Sequence, residues 1–444
     1  MGLVGSVLAG VFRLANGVCF LASLVGTALV CCILLIPVVV TIPIHSIRVI
    51  KLRRYYTSAV GKLFFDFAAS YLLIFGGTKL FIYSNDHRIL DETSSVILMS
   101  NHRTRVDWMF VGWCYCYFTN LNMKLKIILK NSLKIVPFFG WAMQCLMFIF
   151  LSRSRENDLP HIANSLLYLL TSSYNSNAPC ILYFPEGTDL SESNKKKSNE
   201  FAESKGLASL NYVLYPKTAG FSIIANTLQR YYASKNLPKE LVIHDMTIGY
   251  KDFSSRRTSE FSILKGEFPS EIHIRVDRIV LNPDAINNDP VSKRITRRSG
   301  SSDNILSRSR SRDGLNEGAT NSISYDPRKK YESFLYDLYF TKEKILENFY
   351  KFHNNNPNVS DWPPLLVASA TSQIRCGRSL LIMYTLLLTL VVAGYMYFLT
   401  TVVVIIATSL LFGIFKYFNG LDETEKMLHA SMVIEREMSG SASF

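Results

Sequence analysis

The stretch VILMSNHRTRVDWMF, Val96 to Phe110, joins an apolar run to a polar turn and then to the start of a helical pattern, Asp107–Phe118. It sets His102 and Asp107 five positions apart. On one continuous helix that spacing is about 140° off a common face. On a straight strand the two side chains would point to opposite faces, ~17 Å apart. They can meet only across a turn, where a strand exit leads into a helix N-terminus. An Asp there also favours the positive end of the helix dipole. A carboxylate so placed holds the imidazole in one tautomer and leaves its other nitrogen to take a proton. A hydrogen-bonded turn with no chemistry is the alternative.

The same alternation of short β-rich runs with helical ones extends from Glu92 to Ile279. The expected strands are Val96–Met99, Leu125–Leu129, Met147–Leu151, Cys180–Phe184, Tyr212–Leu214, Leu241–Tyr250 and Ile272–Ile279. The expected helices are Asp107–Phe118, Gly140–Cys145, His161–Leu170 and Phe221–Tyr231. This rhythm predicts an α/β domain with a mixed β-sheet flanked by helices.

Three more stretches carry chemistry. LYFPEGTDL, Leu182 to Leu190, runs a strand into a turn in which Gly187 permits close backbone approach to a ligand and Thr188 offers a hydroxyl. Glu186 could take a substrate hydroxyl or fix an Arg. KNSLKIVPFFGWAMQCLMFIFLSRSR, Lys130 to Arg155, ends in a strand that delivers Arg153 at its carboxyl end, where α/β folds place ligands. A guanidinium suits phosphate, and Arg155 is the poorer candidate. YVLYPKTAGF, Tyr212 to Phe221, holds a strand that ends in Pro216-Lys217, which shapes an apolar slot, places a cation or simply stops the strand. The G-x-S-x-G, H-E-x-x-H, G-x-G-x-x-G and P-loop patterns are absent.

Composition points to a membrane surface. The 444 residues carry a formal charge of +13, which suits nucleic acid, anionic lipid or a phosphorylated substrate. No charge falls between Leu14 and Ile44, a stretch long enough to span a bilayer, with Pro37 and Pro43 expected to kink or end it. His45, Arg48, Lys51, Arg53 and Arg54 follow, a basic flank that belongs in the cytosol. Leu63–Phe81, broken by Asp66 and Lys79, reads as an interfacial amphipathic helix. Ser379–Phe415 is uncharged again, with Arg375 and Arg378 before it and Lys416 after. That pattern favours a hairpin of two spans or a re-entrant pair; one strongly tilted helix is the alternative. Val291–Ser324 is basic and Ser-rich and reads as disordered, either a plain solvated loop or a segment tuned by phosphorylation or anionic lipid. The cysteines show no CxxC pair and are expected to be free thiols. Met1 to Ser6 fits the N-myristoylation pattern.

Asn101-His102 to Asp107, Phe184 to Thr188, the block through Arg153 and Val213 to Pro216 together resemble the four motifs of the glycerolipid (lysophospholipid) acyltransferase family. Over about residues 90 to 280 the likeness is to the lysocardiolipin/lysophosphatidylinositol acyltransferase branch. The basic insert is not part of that pattern, and Thr104 stands where many relatives have Ser. The resemblance implies a glycerol-3-phosphate acyltransferase-like α/β fold, with acyl-CoA as cosubstrate, a lysophospholipid acceptor, and no metal or cofactor. It casts His102 as general base and Asp107 as its orienting partner. Arg153, Glu186, Gly187, Thr188, Pro216 and Lys217 become substrate-binding candidates, and phosphatidic acid synthesis is the alternative activity. The expected organisation is an N-terminal membrane helix within 1–60, an interfacial helix at 61–90 and a catalytic domain at 91–290. The basic insert at 291–327 follows, then a helical part at 328–370, a C-terminal hydrophobic hairpin at 371–420 and a cytosolic tail at 421–444. The implied setting is the endoplasmic reticulum membrane, with the bilayer as partner, no nucleic acid, and the catalytic face in the cytosol.

Overall fold

A computed structural model describes residues 2–90, 95–118, 124–172, 179–237, 240–251, 260–281, 331–351, 358–368, 384–386, 398–417, 420–423, 425–427 and 429–430. In chain order these form α1 (Gly2–Leu34), α2 (Ile36–Val40), α3 (Ile47–Ile74), β1 (Lys79–Tyr83), β2 (Val96–Ser100), α4 (Asp107–Phe118) and β3 (Leu125–Lys130). Next come α5 (Phe139–Cys145), β4 (Ile149–Leu151), α6 (Arg155–Ser172), β5 (Cys180–Tyr183), α7 (Glu192–Ser204), α8 (Thr218–Ser234) and β6 (Leu241–Tyr250). The last are α9 (Glu260–Leu264), β7 (Glu271–Leu281), α10 (Glu332–Tyr350), β8 (Leu365–Ala368) and α11 (Phe398–Tyr417).

All five residues of β2 are buried, because helices cover both faces of the sheet around it. The strand order among the described residues is β4-β3-β5-β2-β6-β7-β1-β8. From β4 to β6 every neighbouring pair is parallel; β7 runs antiparallel to β6, and β8 antiparallel to β1. The chain steps one way from β2 to β3 and the opposite way from β4 to β5 and from β5 to β6. Right-handed crossovers therefore put α4 on one face and α6 and α8 on the other. The core follows that division. Val96 and Leu98 of β2 pack in one cluster with side chains of α1, α3 and α4. Ile97 and Met99, pointing the other way, pack with those of α6, α8 and α10. The mixed α/β sheet expected from the sequence is the fold observed.

Some local expectations are corrected. Tyr212–Leu214 is not a strand. The N–H groups of Asn211, Tyr212 and Val213 all donate to the Glu343 carboxylate of α10, and that of Leu214 donates to Glu186. Side-chain acceptors have taken the groups a β-ladder would need. Leu63–Phe81 is not one interfacial helix either: α3 begins at Ile47, stops at Ile74, and Gly77 at φ +65° turns the chain into β1, which lies parallel to β7. The polar helix α7 buries only Ala202, so no apolar period announced it.

At the hydrophobic ends, α1 stops before Pro37, which sits in the first turn of α2. Gly5–Val40 and Ile47–Ile74 are each long and apolar enough to cross a membrane. Arg53 and Arg54 of the basic flank are buried within α3 and paired with Glu425. Cys19, Cys31, Cys32, Cys114, Cys145 and Cys180 are free thiols. The insert at 291–327 and much of the expected hairpin lie outside the described residues.

Glu343→Gln should lower stability by about 1–3 kcal/mol, because three buried or half-buried N–H groups lose a shared anionic acceptor. Thermal unfolding of the variant checks this; an unchanged midpoint would mean that the loop does not depend on that carboxylate.

Candidate active site

The site starts where β2 ends. The Asn101 side chain donates to the Ile248 carbonyl (3.1 Å) and accepts from the Ile248 N–H (2.8 Å), extending the β2–β6 ladder one step beyond Ser100 and Met246. Its amide stands in for a peptide group. His102 is then held at both backbone groups: its N–H donates to Glu186 Oε1 (2.9 Å), and its carbonyl accepts from Leu190 N–H (2.8 Å). The turn closes on the Asp107 carboxylate at the head of α4. His102 Nδ1 lies 2.9 Å from Asp107 Oδ2, so the pair does meet across a strand-to-helix turn.

Asp107 is fully buried, and four donors converge on it. They are His102 Nδ1, the Thr104 N–H (2.9 Å), the Thr104 hydroxyl (2.9 Å) and the Tyr250 hydroxyl. Burial, together with the Asp107 charge, pushes the Tyr250 phenol well above its ordinary range, so it stays a donor. Because a carboxylate only accepts, Nδ1 carries the proton and Nε2 presents its lone pair. Among the described residues nothing bonds Nε2. The His102 side chain is 16% exposed, and its ring stacks on Phe184 at 4.4 Å between centroids. A fixed tautomer with one open basic nitrogen can accept a proton from a hydroxyl brought to it.

At the exit of β5, Glu186 serves the framework. Its Oε1 takes the His102 N–H and its Oε2 the Leu214 N–H (3.1 Å), tying two loops together. Burial pushes this carboxyl well above the usual range, and the two backbone donors offset that rise only in part. Gly187 has φ +71°, and a Cβ there would come within 3.0 Å of Lys217 Nζ. The Lys217 side chain thus lies across Gly187, while its N–H donates to the Pro185 carbonyl (2.7 Å). Pro216 is buried beside it. Thr188 Oγ1 accepts from Asn194 Nδ2 (3.0 Å). Arg103 Nη1 donates to the Leu190 carbonyl (3.2 Å), and Arg105 Nε is 3.7 Å from Asp189 Oδ1, so both fold toward the 189–190 loop.

His102, Asp107, Glu186, Gly187, Thr188, Pro216 and Lys217 therefore share one neighbourhood. Arg153 stands apart. It lies exposed at the carboxyl end of β4, with φ +68°, on the sheet edge three strands from β2. At ~4.8 Å per strand that is about 14 Å away, on the same rim. No contact among the described residues joins it to His102. Tyr250 was missed in the sequence because it ends a strand 143 positions beyond Asp107, and nothing local marks it. Among the described residues no group of three His, Cys, Asp or Glu side chains gathers as a metal site.

Residues 82–234 match the family model described as Acyltransferase. Lysocardiolipin acyltransferase 1 of Mus musculus is 45% identical over 185 residues, 41% of this chain and 46% of the relative. Lysophosphatidylinositol acyltransferase 10 of Caenorhabditis elegans is 36% identical over 211 residues, 46% of this chain and 50% of the relative. An Arabidopsis thaliana protein named as a probable 1-acyl-sn-glycerol-3-phosphate acyltransferase 5 is 37% identical over 188 residues, 42% and 46% of the two chains. The chain spans about half the length of the curated relatives it matches. Residues 82–234, with the His102–Asp107 pair inside them, match the acyltransferase family model, and the chain is similar over less than half its length to lysocardiolipin and lysophosphatidylinositol acyltransferases.

Proposed function

We propose that the protein transfers a fatty acyl group from acyl-CoA to the free hydroxyl of a lysophospholipid, at the cytosolic surface of the endoplasmic reticulum membrane. One observation carries the reading: the open Nε2 of an imidazole whose other nitrogen is locked to a buried, four-fold hydrogen-bonded carboxylate. His102 Nε2 removes the proton of the acceptor hydroxyl as its oxygen attacks the thioester carbonyl. The C–S bond then breaks, and the departing CoA sulfur takes the proton back from the imidazolium. No acyl-enzyme forms. Asp107 orients His102 and stabilises its charged form.

Lys217 and the Glu186-Gly187-Thr188 turn line the side of the site toward which an acceptor phosphate would lie. Arg153, farther along the rim, suits a more distant anionic group of either substrate. The apolar α1 and α11 hold this rim at a bilayer that contains both amphiphilic substrates. A lysophosphatidate acceptor, yielding phosphatidic acid, is the second reading, favoured by the name of the Arabidopsis thaliana relative.

Membranes bearing the full chain, given labelled acyl-CoA and a panel of lysolipids, should label lysocardiolipin or lysophosphatidylinositol. Incorporation into no lysolipid refutes the acyltransferase activity; preference for lysophosphatidate selects the second acceptor. His102→Ala should lose roughly 10²–10⁴-fold in turnover while keeping its unfolding midpoint. Tyr250→Phe removes one bond to a charged group, about 1.5 kcal/mol, and should slow turnover about tenfold. Unchanged turnover in Tyr250→Phe would show that the Thr104 and His102 contacts suffice to hold Asp107.

A further inference from the structure

The turn between β3 and α5 shows the solvent a row of apolar side chains on the rim that also bears His102. Ile135 is 69% exposed, Val136 and Phe138 each 36%, and Pro137 between them is exposed too. The catalytic geometry uses none of them.

The turn is held in shape. Val136 N–H donates to the Leu133 carbonyl (3.3 Å) and Gly140 N–H to the Val136 carbonyl (2.7 Å). A Cβ on Gly140 would collide with the backbone of Lys134, so no other residue lets the chain close this tightly. Phe138 has φ +62°, a conformation unfavourable for any residue with a side chain and kept only where the surroundings enforce it. One such constraint is the Cys32 thiol, which donates to the Phe138 carbonyl at 3.1 Å. A rigid, strained turn that turns its apolar side chains outward needs an apolar environment to receive them.

That environment is indicated by the cluster at the turn's base. Cys31 and Cys32 at the end of α1, Leu35 just before α2, Val38 and Val39 of α2, and Trp141 of α5 form one buried core, with Phe412 of α11 packed against it. The same elements expose further apolar residues, among them Val40 of α2 and Leu410 of α11, each 64% exposed. The turn therefore continues the outer surface of α1 and α11, the apolar ends of the chain. Lys130, immediately before it at the end of β3, is exposed and carries a charge suited to lipid phosphate.

We infer that Ile135–Phe138 is a membrane wedge that enters the headgroup and upper acyl layer of the bilayer. It lies two strands from β2, so it fixes the carboxyl rim and its His102 against the lipid surface. The inference concerns how the protein sits on lipid and holds whatever reaction the site performs.

Ile135→Trp and Val136→Trp variants of the full chain, reconstituted in vesicles of phosphatidylcholine and phosphatidylinositol, test it without measuring activity. Leu21→Trp on α1 serves as the lipid reference. Leu237→Trp, apolar and exposed just before β6 on the opposite rim, serves as the aqueous reference. After subtraction of the parent protein's signal, brominated phosphatidylcholine should quench both turn variants to the same degree as Leu21→Trp, and aqueous iodide should leave them bright. Quenching by iodide at the level of Leu237→Trp overturns the inference. Protection from both quenchers also overturns it, because the turn would then face protein.

Discussion

Asp107 has no exposed surface, and a carboxylate taken out of water survives only when donors replace the water. Its donors come from three places: the turn after β2, the imidazole on that turn, and the far end of β6. Satisfying this one group requires β2 and β6 to be neighbours in register and α4 to begin at Asp107. The Asn101 amide, locked to Ile248, supplies that register at the strand end. The fold of the sheet and the tautomer of His102 are thus two consequences of one hydrogen-bond requirement.

The same device recurs around the site. Glu186 and Glu343 between them accept the backbone N–H groups of Asn211 through Leu214, and Glu186 also takes that of His102. Irregular backbone can be buried here because carboxylates, not a neighbouring strand, satisfy it. Lys342, next to Glu343 on α10, pairs with Asp245 of β6 at 2.8 Å and also reaches the Met246 carbonyl. Helix α10 therefore braces β6 and the 211–214 loop together, although it lies far from His102 in sequence.

A comparable joint sits between the hydrophobic ends. Glu425 accepts from Arg54 at 2.8 and 2.9 Å and from the Tyr168 hydroxyl at 2.8 Å, while Leu421 N–H donates to Gln144. Charges buried this way contribute little net stability as a pair but are costly to separate. They therefore favour one docking of the segment after α11 onto α3, α5 and α6. Because β8 also joins the sheet, the chain is attached to the body on both sides of its C-terminal apolar stretch.

The strand-turn-helix at Val96–Phe118 was legible because its apolar run, its turn residues and its helical stretch follow one another along the chain. For the same reason the Phe184–Thr188 turn stood out. The strand assigned to Tyr212–Leu214 was wrong because its residue types suit a strand, while the fate of its N–H groups depends on Glu343, more than a hundred positions away. Lys79–Tyr83 hid behind an apolar helix that ended just before it, and α7 lacked any apolar period. Local sequence determined most of the strands and helices around the site, and that His102 and Asp107 could meet across a turn. Only the tertiary structure decided that Tyr250 would hold Asp107, that Glu186 would hold the backbone N–H groups of His102 and Leu214 rather than a substrate hydroxyl or an Arg, and that Arg153 would stand at a distance. Those outcomes rest on hydrogen bonds between residues brought together by strand order, and strand order is a property of the whole sheet.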